Sequence, residues 1–167
     1  MYYHFNNKYG DESINLLSTL NHNAGLIMRY PFLLPHNRWT DKVRDDYDFT
    51  YTEIDALDKG WMIAFGDEML EELLEILKEA NYEDEYRILQ IKEKYGMLRW
   101  YDNGVPTKIA DKYYEWERKY VKKSEETCIC CGKPATIATL GWINFVCDEC
   151  FEKMGCKGIP IKGVKQE

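Results

Sequence analysis

Histidine is almost missing from this 167-residue chain: His4, His22 and His36 are all it has, and each lies ahead of residue 37. The rest of the chain therefore lacks the usual general base of neutral-pH catalysis. Positive charge is also short, with 22 Lys and Arg against 29 Asp and Glu, a formal net of −7. The deficit falls on residues 1–117, which carry 13 basic and 23 acidic side chains, whereas residues 118–167 carry 9 and 6. A body of that sign repels nucleic acid, whose affinity rests on neutralised phosphates, so direct nucleic-acid binding by it is not expected. Long apolar runs are missing too. The nearest, Gly25 to Pro35, is interrupted by Arg29 and two prolines, which excludes a membrane span. No phosphate-cradling glycine loop, zinc-protease helix motif or nucleophile elbow is present. Met1 to Lys8 lacks the basic start and apolar run of a secretory signal, which points to a reducing, cytoplasmic setting.

What is present suffices for a folded domain with a small appended module: 45% hydrophobic and 14% aromatic residues are incompatible with wholesale disorder. Residues 11–23 read as a short helix with Ile14, Leu17 and Leu20 at helical spacing. Residues 30–40 are extended before each proline, either packed as core or looped out to show Phe32, Leu33 and Leu34 to a partner. The strongest helix opens at Gly66-Asp67, with Met69, Leu70, Leu73, Leu74 and Leu77 on one face and acids on the other. Tyr86 to Lys92 and Met97 to Tyr101 alternate as two strands around a turn at Glu93-Lys94-Tyr95-Gly96. Alternation puts Trp100 on the core face, opposite Arg99 and Tyr101. A second helix over 107–122 sets Ile109, Tyr113, Trp116 and Tyr120 on one side. The fold class expected is α+β: a small antiparallel sheet covered by helices, an acidic body over 1–123, and a C-terminal unit over 124–167.

Four of the six cysteines are paired as Cys128-x-x-Cys131 and Cys147-x-x-Cys150, fifteen residues apart. That spacing can place four thiolates tetrahedrally around one Zn²⁺. Gly132 follows the first pair, where a tight knuckle needs positive φ. Ala135 to Val146 read as a hairpin turning at Leu140-Gly141. Asp148 and Glu149 open a helix that carries Lys153 further on. Knuckle, hairpin and helix together describe a treble-clef-like zinc finger. Two disulfides or free thiols are the competing readings, and a reducing compartment disfavours the first. Cys130 reads as a non-ligand, and Cys156, after a glycine, as a plain thiol or a fallback ligand. Four thiolates and one Zn²⁺ add −4 and +2, taking the net charge to −9.

A four-cysteine site has no open position for water or substrate, so its zinc is structural. Histidine-dependent treble-clef nucleases need a histidine that this finger lacks, and a zinc deaminase needs a different ligand set. The chain thus reads as a non-enzyme. Its candidate partner-binding residues are the acids Glu68, Glu71, Glu72 and Glu75 of the leucine-rich helix, and Asp45, Asp46 and Asp48 in the acidic stretch 41–60. The plainer account of both sets is a solvated face. The stretch lacks the ligand spacing of a calcium loop.

Several segments resemble a family of mostly uncharacterised proteins from bacteria, prophages and phages. They are Tyr30-Pro31-Phe32-Leu33-Leu34-Pro35 with Asn37-Arg38-Trp39-Thr40, Gly60-Trp61, Gln90-Ile91-Lys92-Glu93-Lys94-Tyr95-Gly96 with Leu98-Arg99-Trp100-Tyr101, and the finger with Gly141-Trp142. The likeness spans about residues 30 to 152. In type the chain is also similar to small, acidic, zinc-containing phage proteins that inhibit type II CRISPR effector nucleases. That resemblance implies a non-enzymatic inhibitor in the host cytosol, whose acidic surface engages the positive channel of a host effector nuclease. The alternative is a cytosolic zinc-finger adaptor for nucleic acid or protein.

Overall fold

The computed structural model describes residues 12–37, 39–40 and 42–161, with the backbone alone for 12–15. Of the features above, Met1 to Lys8, the Ile14 side chain, Arg38 and Asp41 lie outside that description. Helix α1 spans Glu12–Arg29 and α2 spans Lys59–Trp61. Helical backbone continues from α2 through a π-helical turn at Met62–Gly66 into α3 (Asp67–Lys78). The helix therefore begins seven residues ahead of the start expected at Gly66. The Met62 side chain folds over Gly66 in this turn, where a Cβ would stand 2.3 Å from Met62 Sδ. Trp61 and Phe65 both reach the core from this segment. Beyond it, α3 buries Met69, Leu70, Leu73, Leu74 and Leu77 as one stripe. Each such burial stabilises by about 1.5–3 kcal/mol relative to exposure.

Strands β1 (Ile88–Lys94) and β2 (Met97–Asp102) pair antiparallel, with Ile91 opposite Trp100 and Lys94 opposite Met97. Glu93 and Lys94 stay in the ladder, so the connection shortens from the expected four residues to two. Those two, Tyr95 and Gly96, have φ of 56° and 79°. Two consecutive positive φ values make a type I′ turn, whose twist matches that of the flanking strands. Leu98 and Trp100 are buried, and Tyr101 is exposed, as the alternation predicts.

Helix α4 (Ala110–Glu125) follows a 3₁₀ turn at Thr107–Ile109 and buries Tyr113, Trp116 and Tyr120. Trp116 meets Trp100 edge-on at 5.3 Å, and its indole N–H donates to the Met69 carbonyl at 2.9 Å. Sheet, α4 and α3 are thus tied in sequence as layers. At the inner edge, Tyr86 and Tyr113 both donate to the Asp102 carboxylate, and the Trp100 indole N–H donates to Tyr86 Oη at 2.8 Å. Burial raises both phenols well above their ordinary pKa, so they remain donors at any physiological pH.

α1 runs six residues past the helix expected at 11–23. Leu17 is 60% exposed instead of lying on a buried stripe, and Leu26 and Ile27 at the far end pack against the core. Beyond α1, Phe32 and Leu33 in the 3₁₀ turn Pro31–Leu33 are fully buried. The proline-flanked segment is therefore core, and Trp39 after it stands 94% exposed.

The C-terminal part contains β3 (Ile137–Thr139), β4 (Phe145–Val146), α5 (Asp148–Met154) and β5 (Gly158–Pro160). Its strands lie in the order β4-β3-β5, all antiparallel. A second apolar cluster of Cys128, Val146 and Cys147 forms here, and Ile129 packs against both this cluster and the main core. The architecture is α+β, and among the described residues no helix is long and apolar enough to cross a membrane.

Candidate metal centre

The first cysteine pair is shaped by backbone. Thr127 bridges to Pro134, the Cys128 N–H donates to the Lys133 carbonyl at 2.7 Å, and the Gly132 N–H donates to the Cys128 carbonyl at 2.9 Å. Gly132 closes this knuckle at φ 82°, a conformation that strains any L side chain. The second pair is shaped by helix start. Cys147 is the extended N-cap residue of α5, and Cys150 sits in its first turn beside Asp148 and Glu149. Acids there and Lys153 in the last turn complement the helix dipole. Gly155 ends the helix at φ 61°. Lys133 also pairs across the two halves with Glu149 at 2.8 Å, an exposed contact of small weight.

These elements bring the Sγ atoms of Cys128, Cys131, Cys147 and Cys150 within 4.8 Å of one another. Cys131 and Cys147 are 3.6 Å apart. A tetrahedron with Zn–S distances of about 2.3 Å has edges of about 3.8 Å, so the set fits zinc in both chemistry and size. Cys128 and Cys147 are buried, while Cys131 and Cys150 are half-buried. Cys130 and Cys156 are exposed and stand outside the group. Among the described residues this is the one cluster of three or more His, Cys, Asp or Glu side chains close enough to share an ion.

The thiols do not ionise alike. Burial opposes the Cys128 thiolate, but backbone N–H groups of Cys147, Cys131 and Cys130 outweigh it and hold the thiol down to about 7. Burial raises Cys147 and Cys150, and thiol hydrogen bonds within the cluster raise Cys150 further. Thiols give up their protons on binding a cation, so metal affinity at this set should rise with pH.

The knuckle is also pressed onto the body. The Gly60 N–H donates to the Ile129 carbonyl at 2.9 Å, and the Ile129 N–H donates to the Phe145 carbonyl at 3.0 Å. A Cβ on Gly60 would lie 2.1 Å from the Cys128 carbonyl oxygen, and one on Gly96 would lie 2.9 Å from the Phe145 ring. Two glycines of the body therefore permit the close approach of the cysteine unit.

The candidate partner-binding acids prove largely engaged within the chain. Glu68 accepts from Lys119 and Lys123 at 2.9 and 2.6 Å, and Glu72 accepts from Lys119 at 2.5 Å. Lys123 and Lys119 hold the Glu68 carboxyl down to about 2. Glu71 accepts from Arg29 at 2.6 Å and from the Tyr30 hydroxyl. Asp46 pairs with Arg44 at 2.8 Å, and Asp48 accepts from Thr50 at 2.6 Å. Asp45 and Glu75 are exposed. Sequence reasoning missed Lys119 and Lys123, whose i, i+4 spacing on one face of α4 was the available signal. It also missed the docking role of Gly60, for which Gly60-Trp61 was a cue without a mechanism. Comparison of the chain with protein-family models, curated proteins and solved structures returns no match.

Proposed function

We propose that Cys128, Cys131, Cys147 and Cys150 hold one structural Zn²⁺ in a treble-clef finger, and that the protein acts without turnover, by stoichiometric binding to a basic protein. The observation that carries this reading is the convergence of the four Sγ atoms, a full ligand set with no position left for substrate. The net charge of −7, or −9 with metal and thiolates, favours a positively charged partner. The resemblance in type to small, acidic, zinc-containing phage inhibitors suggests a host type II CRISPR effector nuclease, which holds its heteroduplex in a positive channel.

Protein purified without added metal should contain about one zinc per chain. Cys147→Ser or Cys150→Ser should release it and unfold at least the finger, while Cys130→Ser should retain it. Metal retained after loss of both Cys147 and Cys150 removes the site. For the activity, a DNA-cleavage assay across several type II effectors should show inhibition that titrates near one protein per effector, with no nucleotide requirement. No inhibition of any effector, together with tight binding of DNA or RNA by the protein alone, would transfer the function to the nucleic-acid adaptor reading.

A further inference from the structure

Two exposed aromatic rings flank a single cleft where the sheet and the cysteine unit meet. The cleft measures about 340 Å³ and is lined by Glu93, Lys94, Tyr95, Gly141, Trp142 and Ile143. It sits at the small end of ligand pockets, a size suited to one side chain more than to a cofactor. One wall is the β1–β2 turn and the other is the tip of the β3–β4 hairpin.

Both walls are fixed. The Gly96 N–H donates to Glu93 Oε1 at 2.5 Å, and the bare Cα of Gly96 packs against the Phe145 ring. On the opposite side Thr139 Oγ1 donates to the Trp142 carbonyl at 2.6 Å and accepts the Asn144 N–H at 2.8 Å. The cleft is therefore preformed, and neither ring is there for packing: Tyr95 is 63% exposed and Trp142 is 75% exposed. Tyr95 carries a further cost, because it holds φ 56° where Asn or Gly serves a type I′ turn better. Left-handed backbone is unfavourable for an ordinary residue, and strain of this kind collects at ligand sites. A strained, exposed tyrosine and an exposed tryptophan thus line one cleft.

Charge selects the occupant. The Glu93 carboxylate borders the cleft with one oxygen on Gly96. Lys94 is the cation present, and its Nζ lies 5.4 Å from the Tyr95 ring centroid, so that ring already attracts positive charge. Aromatic rings beside a carboxylate favour a flat cation that can stack and donate hydrogen bonds. We propose that the Tyr95–Trp142 cleft receives an arginine side chain of a protein partner, its guanidinium stacked between the rings and donating to Glu93. The proposal rests on the protein-binding reading above for the source of that arginine.

The test uses the full chain and N-acetyl-arginine methylamide as the probe, with no effector present, so its failure stays distinct from a failure of nuclease inhibition. In ¹H–¹⁵N spectra the Trp142 indole and the Tyr95, Gly96 and Gly141 amides should shift saturably at millimolar probe. Trp142→Ala and Glu93→Gln should each weaken binding about three- to five-fold, the scale of one cation–π or charge-assisted contact. Tyr95→Asn should abolish the shifts while raising the melting temperature, since Asn relieves the turn, which a merely structural Tyr95 would not do. Adenosine monophosphate shifting these signals while the arginine probe does not would overturn the proposal in favour of a base-stacking site. No saturable shift, or shifts that survive Trp142→Ala and Tyr95→Asn, would overturn it outright.

Discussion

Asp58 is a residue whose ionisation runs against folding. It precedes α2 with a side chain that makes no cap hydrogen bond. Burial first, and then the charge of Glu93, push its carboxyl up to about 6 from the usual 3.8. The folded state thus holds this proton more tightly than the unfolded chain does. Stability from this group is full below about pH 4 and falls as pH rises through about 6. Asp58→Asn removes the charge and should stabilise the protein at pH 7. Because Asp58 is only partly buried, a discounted gain of about 1 kcal/mol is expected, or about 2–4 °C in Tm for a chain of this size. Paired melts of variant and parent from pH 4 to 8 check it. The gap should close near pH 4, and a variant less stable at pH 7 would refute repulsion as the cause.

At the scale of elements, the contact between knuckle and body depends on Gly60 more than on any side chain. Its missing Cβ leaves room for the Cys128 carbonyl, which is backbone and cannot swing aside. Gly60→Ala should cost about 1–3 kcal/mol and loosen the finger from α2 while leaving the zinc stoichiometry intact. Faster amide exchange at Gly60 and Ile129 would show the loosening. Gly25→Ala is the contrast: mid-helix in α1 with nothing within 4 Å, it should stabilise by about 0.5–1 kcal/mol. An equal, small effect at both sites would dismiss the packing argument. The same contrast explains what could be read from the chain. The leucine stripe of α3, the β1–β2 alternation and the cysteine knuckle are local periodicities, so residues 69–77, 97–101 and 128–132 announce themselves. The Lys119–Glu72 contact spans 47 residues, and the local spacing of Lys119 and Lys123 does not name its partner. β5 has three residues, too few for alternation to register. The π turn at Met62–Gly66 lies where Trp61 and Phe65 are both buried, and propensity alone does not reveal it.

Across the whole molecule, ion pairing redistributes the meaning of the acidic charge without removing it. Glu68, Glu71 and Glu72 are locally neutralised by Lys119, Lys123 and Arg29, so α3 is a poor candidate for short-range contact with a cationic partner. The far field depends on the sum of charges, and that remains −7 from the sequence. Steering and docking therefore separate. Association with a basic effector should slow about tenfold or more between about 20 and 200 mM monovalent salt, as the Debye length falls from about 20 Å to below 10 Å. Dissociation should change little, because short-range contacts govern it. Asp45→Lys and Glu75→Lys, both on exposed positions, should slow association at low salt and leave the melt unaltered. Reversing Glu68 and Glu72 should slow association and also lower Tm, since Lys119 and Lys123 then face like charge. Stopped-flow or surface-binding kinetics against an inhibited effector measures both rates. An association rate indifferent to salt would discard charge steering and leave recognition to short-range features such as the Tyr95–Trp142 cleft.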